Sequence, residues 1–169
     1  MKFLDFSLPG LMALFEKSFK RSRHKSKNGS QDNQNMPGYS GTPLPKKLGI
    51  KPGSRVYLPN AAPDVLAELS ATLAGCENVS NGKAPLDFAM VFTKSKAELA
   101  GDFKRISKLL APAGMLWVSW PKKSSGVLTD LNENIVREIG LDAGLVDVKV
   151  CAVTEVWSGL KFVRRVKDR

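Results

Sequence analysis

From residue 54 onward, short apolar runs alternate with stripes of apolar residues spaced three and four apart. Arg55-Val56-Tyr57-Leu58 predicts a strand, closed by Pro59-Asn60. Pro63 then stands where a helix's first turn tolerates a missing N–H, and Asp64 complements the helix dipole. Val65, Leu66, Leu69 and Leu73 form one helical face up to Gly75. Asn78-Val79-Ser80 is expected as a remnant edge strand. Residues 86–92 are almost continuously apolar, the pattern of a strand covered on both faces in a parallel sheet. Ser95 and Glu98 have capping-box spacing, and Leu99, Phe103, Ile106 and Leu110 carry a helical stripe to Pro112 and Gly114. Residues 115–120 predict a third buried strand. Asp130 and Glu133 repeat the capping-box spacing, Ile135, Val136 and Ile139 give a core face, and Gly144 stops that helix. A strand over 145–153, a turn through 155–159 and a last strand over 160–165 follow, close enough in sequence for the last two to be antiparallel.

This alternation implies right-handed crossovers and a mostly parallel sheet with helices on both faces, a three-layer Rossmann-like α/β domain. The preceding chain reads differently. NGSQDNQNMPGYSGTP lacks apolar periodicity and is a linker. The expected organisation is an extension over residues 1–37, disordered or a short amphipathic helix, and one domain over 38–169. In the extension, Leu11, Leu14, Phe15 and Phe19 share a helical face ahead of KRSRHKSK, a pattern that suits a membrane surface or a polyanion. A floppy extension is the plainer alternative.

Charge sharpens that division. Residues 1–30 hold seven Lys/Arg against two acidic residues, whereas the body from residue 46 has 19 basic and 13 acidic residues. The net charge of +10 favours anionic partners and also serves solubility. Two cysteines are too few for a disulfide framework and fit a reducing, cytoplasmic setting. The single histidine, His24, lies in the basic extension, so a zinc site or a Ser-His or Cys-His pair in the body is not expected. No metal is expected, and no sequence-specific nucleic-acid partner.

The order of strands and helices resembles the C-terminal two-thirds of a class I, S-adenosylmethionine-dependent methyltransferase. PAGMLWVSWPK resembles the segment entering that fold's fifth strand, and GLDAGLVDVKV its turn into the closing hairpin. More closely, GYSGTPLPKKLGI, WPKKSSGVLTDLNENIVREIGL and AGLVDVKVCAVTEVWSGLKFVRR resemble a family of short bacterial proteins catalogued only as a domain of unknown function, over residues 38–166. That resemblance implies a fold and no activity. The methyltransferase pattern is also incomplete. The turn after the first strand, Leu58 to Asp64, has no glycine, and its two prolines remove backbone donors that would cradle the cofactor. Only residues 76–85 stand where two strands and a helix would be needed, and Glu77 is misplaced to read a ribose. No cofactor is therefore expected, and S-adenosylmethionine is disfavoured.

Ligands of open parallel sheets sit at the carboxyl ends of the strands. Four connections are expected to build one rim there, with Asn60, Lys94, Lys122, Lys123, Ser124, Ser125, Trp157 and Ser158 as candidate ligand-binding residues. Lysines would pair with a phosphate or carboxylate, serines would donate hydrogen bonds, and Trp157 would stack on a ring. Each has a plainer reading as a solvated charge, loop chemistry or a core seal. The balance expected is a non-enzymatic module binding an anionic small molecule or protein partner. A degenerate methyltransferase, or another transferase using an anionic substrate, is the alternative. The strand edge left unpaired beside the first strand suits a homodimer.

Overall fold

A computed structural model describes residues 41–80 and 85–169. The extension expected over residues 1–37 lies outside them. The six strands are β1 (Arg55–Tyr57), β2 (Glu77–Asn78), β3 (Leu86–Phe92), β4 (Leu110–Pro121), β5 (Leu145–Ala152) and β6 (Trp157–Arg164), and the helices are α1 (Leu44–Leu48), α2 (Pro63–Leu73), α3 (Lys96–Leu109) and α4 (Glu133–Asp142). The sheet order is β2-β1-β3-β4-β6-β5. From β2 to β4 all neighbours are parallel, and β6 runs antiparallel to both β4 and β5. The last strand thus inserts between the fourth and fifth. This is a Rossmann-like α/β sheet with the closing antiparallel hairpin of methyltransferase-like folds, shortened on the β2 side.

Two apolar clusters define the layers. Leu99, Phe103 and Ile106 of α3 and Val136 of α4 pack with Ala89, Val91, Leu116, Val118, Trp120, Leu160 and Phe162 on one sheet face. Leu44, Leu48, Val65 and Leu69 pack with Phe88, Met90 and Trp117 on the other. Alternate residues of β3 and β4 therefore serve opposite cores, which is why both strands read as unbroken apolar runs. Burying each large side chain contributes about 1.5–3 kcal/mol.

Several expectations are corrected by packing. Leu66 is 41% exposed, so only Val65 and Leu69 anchor α2 fully, with Leu73 partly buried. The β2 strand lies at Glu77–Asn78 rather than 78–80. At α3, Ser95 Oγ accepts from Glu98 N at 3.5 Å, but the Glu98 carboxylate turns to the Thr93 hydroxyl at 3.0 Å instead of back to the cap. Asp130 does not cap α4. Asn132 does, its side chain accepting from Ile135 N at 3.0 Å, while Asp130 Oδ1 accepts from Lys96 N at 2.8 Å and fastens the loop to α3. Trp157 and Ser158 are strand residues of β6, not turn residues.

The short helix α1 was not anticipated. Prolines stand at its entry, and Gly49 at φ 76° ends it in the left-handed region that favours glycine. The Trp117 indole donates to Leu48 O at 3.0 Å and anchors that end. Strand β4 begins earlier than expected. Leu86 pairs with Leu110 and Phe88 with Met115, so residues 111–114 bulge. Gly114 sits in that bulge, where a Cβ would come within 2.5 Å of Leu86 O.

Candidate functional site

The carboxyl ends of β1, β3 and β4 carry two separate hollows, and a third lies between α3 and α4. The first, of about 400 Å³, is lined by Asn60, Phe92, Thr93, Glu98 and Asp102, among others. Asn60 has φ 54°, a left-handed conformation that asparagine tolerates better than most residues. The Thr93 hydroxyl donates to Glu98 Oε2 at 3.0 Å and accepts from Ser95 N at 3.2 Å. Asp102 is paired with Arg105 at 2.9 Å, and that arginine also covers the Tyr57 ring at 5.4 Å. The hydrogen bond that Arg105 donates to Asp102 holds its guanidinium above its ordinary value. Glu98, which belongs to none of the ion pairs among the described residues, makes this hollow a poor receptor for an anion.

The second hollow, of about 550 Å³, opens where β4 gives way to α4, lined by Trp120, Lys122, Lys123, Thr129, Asn132, Glu133 and Ser158, among others. Its wall is a tied loop. Lys122 N donates to Val156 O at 2.7 Å, which joins the loop to the β5–β6 turn. Lys123–Ser125 form one 3-10 turn, ended by Gly126 at φ 70°. The Ser125 hydroxyl donates to Lys122 O at 2.7 Å and accepts from Val127 N at 3.3 Å. The Thr129 hydroxyl and the Asp130 backbone N–H both donate to Lys94 O, at 2.8 and 3.3 Å. Glu133 is held by Arg137 at 2.6 Å, and Arg137 also meets Asp147 at 2.9 Å. The hydrogen bonds that Arg137 donates to Asp147 first and Glu133 second raise its guanidinium above its ordinary value. The hollow's one carboxylate is thereby matched, leaving Lys122 and Lys123 as its net charge.

The eight candidate residues do not form one rim. Lys122, Lys123 and Ser158 share the second hollow, and Asn60 lies in the first. Lys94 and Ser124 are exposed. Ser125 spends its hydroxyl on loop closure. Trp157 lies on the opposite sheet face from Ser158, half-buried against the α1–α2 core. Asn132, Glu98 and Asp102 were missed. Only Asn132 left a signal, standing three residues before Ile135 as a second candidate cap. The third hollow, about 570 Å³, has apolar Phe103, Ile139 and Ala143 and the lysines Lys96, Lys104 and Lys108 in its lining.

The methyltransferase resemblance implies S-adenosylmethionine, and the residues at that fold's binding positions do not fit it. Pro59 and Pro63 offer no N–H, and the positive φ falls on Asn60 instead of a glycine. Glu77 lies inside β2 in register with Arg55, and Val79 and Ser80 follow Asn78, so no carboxylate stands just beyond that strand for a ribose. Among the described residues no cluster of His, Cys, Asp or Glu could hold a metal ion, and no helix is long and apolar enough to cross a membrane.

No family model matches the chain, and no curated protein matches it. Solved structures do. The Methanococcus jannaschii fibrillarin pre-rRNA processing protein is 13% identical over 75% of this chain and 70% of its own, with a TM-score of 0.45. The magnesium protoporphyrin IX methyltransferase of Synechocystis PCC 6803, solved with bound S-adenosylmethionine, is 12% identical over 68% of this chain and 71% of its own, with a TM-score of 0.46. LepI, solved in complex with S-adenosylmethionine, is 16% identical over 80% of this chain, with a TM-score of 0.47, and this chain spans only 50% of its length.

Proposed function

We propose that the domain is a binding module on a reduced methyltransferase-like sheet, taking an anionic ligand in the hollow between the end of β4 and the start of α4. The observation that carries this reading is the charge balance there: Lys122 and Lys123 line the hollow, while its carboxylate, Glu133, is already held by Arg137. Asn132 and Ser158 add polar atoms, and Trp120, only 5% exposed, supplies an apolar wall. A phosphate or carboxylate attached to a small organic body suits such a lining. The test is a thermal-shift screen of phosphorylated and carboxylated metabolites against the full chain and Lys122→Gln/Lys123→Gln. Ligand binding raises the melting temperature of the form it binds. Compounds that stabilise the parent and leave the double variant unmoved support the proposal; equal shifts in both remove it.

A second reading, an S-adenosylmethionine-dependent transferase, is favoured by the strand order and by the first hollow. Glu98 and Asp102 lie there beside the ends of β1 and β3, where a positively charged sulfonium or ammonium would be welcome. S-adenosylmethionine, bound in two of the solved structures above, is the compound to titrate. Micromolar affinity followed by methyl transfer to an added acceptor would put this reading in place of the first.

We propose a homodimer as well, through the β5 edge in place of the expected edge beside β1, which β2 pairs with. The β2 edge is only two residues long, while the β5 edge is eight residues long with Val148 and Val150 exposed. A monomeric mass by light scattering at high concentration would exclude it.

A further inference from the structure

Strands β5 and β6 set two lysines directly opposite one another. Lys149 is the register partner of Lys161, in an antiparallel pair whose opposed Cα atoms stand about 5 Å apart. Like charges in that relation are unfavourable, so the arrangement calls for a compensating contact. Lys149 reaches over the α1 side of the sheet, where its Nζ donates to Lys47 O at 2.9 Å. Lys161 alternates with Leu160 and Phe162, which belong to the α3–α4 core, and so faces the α1 side as well. Lys51, in the turn after α1, is exposed and adds to the field that Lys161 feels. Burial first, then Lys149 and Lys51, hold Lys161 below its ordinary amine value, so the three charges lie within electrostatic reach of one another.

Among the described residues, carboxylates do not answer these charges. The four ion pairs of the described residues all use arginine, namely Arg55, Arg105 and Arg137, and none includes Lys51, Lys149 or Lys161. Asp147, two residues before Lys149, is engaged by Arg137 of α4. Lys51 and Lys149 are exposed and Lys161 is half-buried, so the charges spread over an open surface.

We propose that the α1-side face of the β5–β6 hairpin binds a nucleic-acid phosphodiester backbone without reading base sequence, with Lys51, Lys149 and Lys161 set against phosphates. Point charges on an open surface suit a repeating anion better than a single enclosed one. Lysine ammonium groups position a backbone, whereas base identity is read by bidentate groups, and none of Lys51, Lys149 and Lys161 is one. The surface lies across the sheet from the hollow holding Lys122 and Lys123, so the two sites are independent.

The experiment uses the full chain and measures fluorescence anisotropy of a labelled oligothymidylate across a range of potassium chloride concentrations. Each phosphate contact on a single strand contributes a slope of about 0.7 in log affinity against log salt. Lys149→Gln/Lys161→Gln is expected to lose about 1.4 of that slope and to bind roughly tenfold more weakly at low salt. Lys149→Arg/Lys161→Arg keeps the charge and should retain the slope, which separates lost binding from lost folding. Lys104→Gln/Lys108→Gln removes the same charge from α3 and should leave the slope nearly intact. Equal losses in the two glutamine doubles would reduce the effect to net charge and overturn the proposal. So would binding to phosphatidylserine vesicles that shows this variant dependence while the oligonucleotide does not bind.

Discussion

Trp157 meets Phe92 edge to face, with ring centroids 5.2 Å apart and planes at 87°. The contact joins the carboxyl end of β3 to the start of β6 and closes the α1–α2 core beneath the strand ends. An aromatic that the sequence offers as a stacking surface for a ligand ring therefore has a packing partner already. Trp157→Ala should destabilise the domain by about 2–4 kcal/mol in urea unfolding, whereas Trp157→Phe should lose much less. Ligands of the Lys122–Lys123 hollow should bind the folded Trp157→Phe variant as they bind the parent.

Ser119 is fully buried near the carboxyl end of β4, and its hydroxyl is the one buried side-chain polar atom without a partner among the described residues. Leaving such a group unsatisfied costs about 1–3 kcal/mol. Ser119→Ala should accordingly be stabilising, by about 1 kcal/mol, seen as a melting temperature several degrees higher. A loss of stability would mean that the hydroxyl is satisfied in solution.

Arg55 and Asp87 clamp β1 to β3. The Asp87 carboxylate accepts from Arg55 N at 2.9 Å, Nε at 3.0 Å and an Nη at 3.1 Å. Hydrogen bonds from the arginine side chain, then its backbone, hold the Asp87 carboxyl below the usual carboxylate range. A depressed folded-state value means stability that is present above the ordinary value and lost as pH falls through the folded one. Asp87→Asn should lower stability at neutral pH and flatten the acid limb of the stability profile. An acid limb of unchanged slope in the variant would place acid sensitivity elsewhere.

Lys161 should act in the opposite sense to a paired lysine. Its ammonium is disfavoured in the folded state, so the penalty is full at neutral pH and is relieved as pH rises through the folded value towards the ordinary amine value. Stability should climb across that alkaline window. Lys161→Met should raise stability at neutral pH and remove that part of the rise, as read by chemical denaturation at a series of pH values.

Gly140 of α4 lies directly against the Phe162 ring, with no room for a Cβ. Phe162 is itself locked edge to face with Phe103 of α3, at 5.0 Å between centroids. Gly140→Ala would gain helix propensity yet overpack this contact, and a net loss of about 1–3 kcal/mol is expected. Paired with Phe162→Leu, the alanine should be better tolerated, which a double-mutant cycle would show as favourable coupling.

The sequence by itself determined the class of fold. Residues 86–92 and 115–120 read as buried strands because each must satisfy two cores at once, and that demand leaves no polar alternation. The α3 stripe at Leu99, Phe103 and Ile106, and the stop at Gly144, were legible for the same reason: a single local periodicity or backbone conformation settles them. Contacts between distant segments settled the rest. The capping-box spacing points to Asp130 as the cap of α4, but Lys96 N, 34 residues away, claims the aspartate and leaves Asn132 to cap. The helix α1 hides in proline-rich chain because its support is Trp117, 69 residues from Leu48. The site depends on the same kind of contact. Trp157 and Ser158 are neighbours in sequence, but pairing with Pro121 and Trp120 places them in β6, where successive side chains point to opposite faces. Register with a partner strand decided which of the two reaches the hollow and which seals the core, and register is a property of the assembled sheet.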